Sequence, residues 1–76
     1  MMGCVTFKRL TPHESRIYAG REHVGDVYRQ DDILAPGQFF YMVHLHDDPR
    51  GPRRVHERHR IREVSEDLLA SHPLWP

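Results

Sequence analysis

Seventy-six residues allow one small domain, residues 1–76. Eleven Lys and Arg balance eleven Asp and Glu, so the formal net charge is zero, which excludes a strongly basic nucleic-acid coat or an acidic tail. No apolar run approaches ~18 residues, so no membrane span is expected, and a single cysteine, Cys4, excludes a disulfide framework.

Met1-Met2-Gly3-Cys4 runs straight into an alternating segment with no apolar stretch of the signal-peptide kind. A lone thiol fits a reducing compartment, so a cytoplasmic protein is expected. Met2-Gly3-Cys4 hints at acylation, but the myristoylation pattern wants Ser or Thr where Phe7 stands. Ten of the eleven basic residues are Arg, the side chain suited to bidentate contacts with phosphate or carboxylate. A GC-rich bacterial genome accounts for the same bias.

Cys4 to Leu10 alternates in polarity and predicts a strand, with Cys4 a small core residue rather than a nucleophile. Thr11-Pro12-His13-Glu14 is a turn, and Arg16–Ala19 resumes as a short strand. Gly20-Arg21-Glu22-His23 reads as a hairpin loop, and Val24–Arg29 returns as its partner, with Gly25 marking a bulge or a close backbone approach. Residues 30–37 form a connecting loop with Ile33 and Leu34 tucked against the body. Gln38–His46 is the strongest strand, dense in aromatic and β-branched residues. Asp47–Pro52 is a turn, and Arg53–His56 suits an edge strand. A helix follows from about Glu57 to Ser71, its apolar stripe Ile61, Val64, Leu68 and Leu69, stopped by His72-Pro73 before a short tail. The fold expected is two-layer α+β: a three- to four-stranded antiparallel sheet with one C-terminal helix packed on one face.

On the strong strand, Phe39, Tyr41, Val43 and Leu45 share the face that meets the helix, and Phe40, Met42, His44 and His46 share the other. If Ile17 also faces the helix, Arg16 and Tyr18 join the open face. Such a strip is costly to leave uncovered; the loop, the tail or a second copy of the chain can cover it. Aromatic rings with Arg also suit stacking on unpaired bases. Arg50, Arg53 and Arg54 form an Arg-rich turn before the helix, able to meet a phosphate or an acidic partner. The helix itself carries mixed charge, with Arg62 and Glu66 four apart, and reads as scaffold.

His44-x-His46 places two imidazoles on one strand face, weak candidates for a metal that needs about four ligands. No Gly-x-Gly-x-x-Gly, Walker A or Gly-x-Ser-x-Gly pattern is present, and no enzyme activity or cofactor is expected. The strand–strand–strand–helix order over about Ser15–Ser71 is similar in layout to small three-stranded DNA-binding domains, such as the arm-binding domains of phage-type integrases, which read DNA with the open sheet face. No motif accompanies that likeness, and no residue role is carried over from it. The function expected is a binding or assembly module. It uses the open face (Arg16, Tyr18, Phe40, Met42, His44, His46) and the Arg-rich turn to meet a protein partner, possibly itself as a homodimer. Nucleic-acid binding and a His-based metal module are the alternatives, and no membrane role is expected.

Overall fold

The computed structural model describes residues 4–75; the Met1–Gly3 start read above and Pro76 lie outside them. Among the described residues, five strands precede a helix: β1 (Val5–Thr11), β2 (Glu14–Ala19), β3 (Glu22–Asp31), β4 (Phe39–Leu45) and β5 (Arg53–Val55). A short 3-10 turn, Arg58–Arg60, leads into α1 (Ile61–Ala70). The strands form one antiparallel sheet in the order β1-β2-β3-β4-β5. The sheet is thus one or two strands wider than the three to four expected. Every connection is short, so each segment folds back on the one before it, and even the three residues of β5 pair with β4.

The first two hairpins are tighter than their sequence suggests. Thr11 pairs with Glu14 and Ala19 with Glu22, leaving two-residue turns at Pro12-His13 and Gly20-Arg21. Gly20 has a φ of 64°, the left-handed geometry such a turn needs at its first central position. Glu22 and His23 therefore belong to β3 and not to a loop.

The β3–β4 connection departs from expectation in another way. Its backbone is closed by Asp32 N–H to Gln38 O (3.0 Å), Gln38 N–H to Ala35 O (2.9 Å) and Leu34 N–H to Asp32 Oδ1 (3.0 Å). This compact turn projects beyond the sheet, so Ile33 and Leu34 are not tucked in; each is 90% exposed.

The core lies between one sheet face and α1. Val5, Ile17, Val24, Val27, Val43, Leu45 and Val55 from the sheet meet Val64 and Leu68 from the helix, with Tyr41, Ile61, Leu69 and Trp75 at its margin. The helix begins later than the expected 57–71 because the residues before Ile61 tighten into the 3-10 turn, Arg60 N–H bonding Glu57 O at 3.0 Å. Cys4 precedes β1 and is exposed, not part of the core.

Two polar devices tie the helix to the sheet. Val5 N–H donates to Glu66 Oε2 (3.3 Å), and Arg62 donates to the Val5 carbonyl and lies over the Phe7 ring. At the other end, Arg50 donates to both Asp48 oxygens, to the Leu68 carbonyl (2.9 Å) and to Ser71 Oγ (2.8 Å). One guanidinium thus closes the turn after β4 and satisfies a carbonyl of the last helical turn. Its hydrogen bonds to the fully buried Asp48 carboxylate hold that pKa down at about 2, from an ordinary 3.8.

Candidate functional site

The sheet presents two distinct chemical surfaces. On the face away from α1, the ladder rows place Arg16 opposite Asp26, Asp26 opposite His44, Tyr18 opposite His23, and Met42 opposite Tyr28 and Arg54. A bulge between Ile17 and Tyr18 shapes this face. Ile17 pairs with Gly25 and Tyr18 with His23, so Val24 is the extra residue of β3. Val24 turns into the core, and His23 and Asp26, three apart, come to the same open face. Gly25 is required there. A β-carbon built on it would overlap the His44 carbonyl oxygen and sit 2.9 Å from Leu45 Cα.

The bulge assembles three side chains. His23 Nε2 lies 3.0 Å from Asp26 Oδ1, and His46 Nε2 lies 3.5 Å from Asp26 Oδ2. The two imidazoles meet edge to face with centroids 4.6 Å apart, and the Tyr18 ring flanks His23 at 5.4 Å. All three residues are half-buried. Beside them the Tyr18 oxygen raises the Arg16 pKa above its ordinary value, with burial opposing and Asp26 and Glu14 adding. His46 is fixed through its backbone: its N–H donates to the Val24 carbonyl (2.8 Å), and its carbonyl accepts from His72 Nε2 (2.9 Å). His72 Nδ1 accepts from Leu74 N–H, so the Nε2 hydrogen is the one available to His46, and the His72 ring stacks on Trp75 at 3.7 Å.

The second surface is on the helix side. Helix α1, ten residues and roughly 15 Å long, is shorter than β3, ten residues and roughly 33 Å. It covers one end of the sheet and leaves the other open. There a groove of about 430 Å³ runs over Phe7, Val27 and Tyr41, walled by Arg9, Arg29, Arg58 and Arg62 with His13 and His59. Glu14 is the one carboxylate that lines it. Arg29 lies 4.7 Å from the Phe39 ring and Arg62 5.3 Å from the Phe7 ring. Among the described residues no carboxylate pairs with Arg9, Arg29 or Arg58.

The residues singled out from sequence divide between these environments. Arg16, Tyr18, Met42, His44 and His46 lie on the open face by register. Phe40 lies there too but is only 5% exposed, because the Arg54 guanidinium covers its ring at 4.2 Å and His56 flanks it at 6.1 Å. The chain covers its own aromatic residue, and the need for a second copy to do so is gone. The Arg-rich turn is not one patch: Arg50 is engaged with Asp48 and the helix end, while Arg53 and Arg54 point to opposite faces of β5. Of the two metal candidates, His46 joins a three-residue cluster; His44, across the ladder from Asp26, does not.

Sequence reasoning missed His23, Asp26 and the groove arginines. The signal for the first pair was Gly25, since a bulge there brings residues three apart to one face. Arg9 and Arg29 come from separate strands and carry no local signal, while Arg58 stands in the arginine-rich stretch 50–62, which does not show that it meets them. No family model, curated protein or solved structure matches the chain, and no helix among the described residues is long and apolar enough to cross a membrane.

Proposed function

We propose that this protein is a non-enzymatic binding module for single-stranded nucleic acid, which lies in the groove beside the start of α1. The observation that carries this reading is charge segregation on a neutral chain: four arginines and one carboxylate line a groove with an aromatic floor. Arginines that track phosphates and rings that accept bases are the recurring parts of single-strand binding. The groove, about 430 Å³, is of a size to take a single nucleotide, and Arg9 and Arg58 in its wall would meet the neighbouring phosphates.

The test is fluorescence anisotropy with single-stranded DNA and RNA oligonucleotides at several salt concentrations. Binding should weaken with a log–log slope of about −0.7 for each phosphate held. Arg9→Ala with Arg58→Ala should reduce affinity about tenfold and flatten that slope, while Arg53→Ala, on β5, should leave both unchanged. No binding at low salt, or equal loss in Arg53→Ala, overturns the reading.

A protein partner, a second copy of this chain included, is the other reading. Ile33 and Leu34, adjacent and 90% exposed on a rigid turn, favour it. Light scattering across a wide concentration range separates the two: a concentration-dependent mass abolished by Leu34→Asp supports the partner reading, and a constant monomer mass removes self-association.

A further inference from the structure

We infer that His23, Asp26 and His46 form a binding site for one zinc-class divalent cation, on the sheet face opposite the basic groove. The ligand atoms stand close enough together for one ion to draw them onto itself. Bonds of ~2.0–2.1 Å at tetrahedral angles set ligand atoms about 3.3–3.5 Å apart. His23 Nε2 and His46 Nε2 lie 3.0 and 3.5 Å from the two Asp26 oxygens, and all three residues offer a ligand atom within 4.8 Å of the others.

Two neutral imidazoles and one carboxylate are the donor set that suits zinc and its first-row neighbours. Calcium and magnesium favour oxygen ligands. Nε2 of each histidine supplies a lone pair once its ring hydrogen sits on Nδ1, so the rings bind without a change of net charge. The carboxylate charge of Asp26 offsets part of the cation's. Arg16 lies opposite Asp26 and engages Tyr18, so its charge faces the carboxylate that holds the ion.

The supporting shell is specific to these residues. The bulge at Val24–Gly25 aims His23 and Asp26, and the His72 hydrogen bond to the His46 carbonyl holds the end of β4. Three protein ligands leave the fourth position facing solvent, open to water or to a donor atom of a bound molecule.

The experiment is calorimetric titration of the full chain, without an affinity tag, with zinc(II). One ion per chain is expected. His23→Ala, Asp26→Asn and His46→Ala should each weaken binding about tenfold or more. His44→Ala and His56→Ala, on the same face but outside the cluster, should leave it unchanged. Loss of binding in His44→Ala or His56→Ala equal to that in the cluster variants would show general histidine affinity and overturn the site, as would the absence of a one-to-one complex. Imidazole nitrogen spectra of the unaltered protein guard against misfolded variants. Zinc should shift the Nε2 signals of two histidines only, and a shift spread over all seven overturns the assignment.

Discussion

Gly25 faces the His44 carbonyl so closely that a β-carbon at this position would overlap its oxygen. Gly25 adjoins the bulge, and the bulge sets which residues of β3 look outward. Gly25→Ala should therefore act twice. It should cost about 2–3 kcal/mol or more in a urea titration, since the added carbon meets backbone that cannot rotate away. In the fraction still folded, the His23–Asp26 alignment should be lost. Stability within about 0.5 kcal/mol of the unaltered chain would show that the two strands can part at no cost.

Arg50 and Asp48 give a pH signature. The folded Asp48 pKa is about 2, below its ordinary 3.8, so the pair contributes fully above pH 3.8 and is lost as pH falls through about 2. Arg50→Ala should destabilise the fold at pH 6, because it strands the Asp48 carboxylate and frees the Leu68 carbonyl. The gap between variant and parent should close between pH 4 and pH 2. Denaturant titrations of both proteins across that range measure it, and a gap independent of pH rules out the ion pair as the source.

Arg54 should behave as a cover and not as a ligand for anything else. Removing it in Arg54→Ala exposes the Phe40 ring, at a cost of about 1 kcal/mol. A fluorescent probe for exposed apolar surface should bind the variant and not the parent. Equal probe binding would mean that His56 alone suffices.

The exposed turn makes the opposite prediction. Ile33→Ser with Leu34→Ser should leave stability within about 0.5 kcal/mol, since neither side chain is buried on folding. Thermal unfolding checks this directly. A larger loss would mean that the turn packs on the sheet in solution.

How far the fold could be read from the chain depended on periodicity. Phe39–Leu45 alternates cleanly, and Ile61, Val64 and Leu68 keep helical spacing, so β4, α1 and their mutual packing were legible. His23 reads as loop from sequence because a bulge breaks alternation at the point where it matters. Ile33 and Leu34 read as inside because apolar residues usually are, yet their turn is closed by its own backbone and needs no apolar anchor. Arg50 looked available for a partner. Only the fold brings the end of α1, eighteen to twenty-one residues further on, up to its guanidinium.

The clasp of Val5 by Arg62 and Glu66 joins residues fifty-seven and sixty-one positions apart. All the strand pairings, by contrast, are between neighbours in the chain and can form as synthesis proceeds. The apolar face of that growing sheet has no cover until Val64 and Leu68 emerge, and α1, which carries them, follows all five strands. Closure of the core waits on α1, and a ribosome-bound fragment lacking α1 presents Ile17, Val43 and Leu45 to whatever is near.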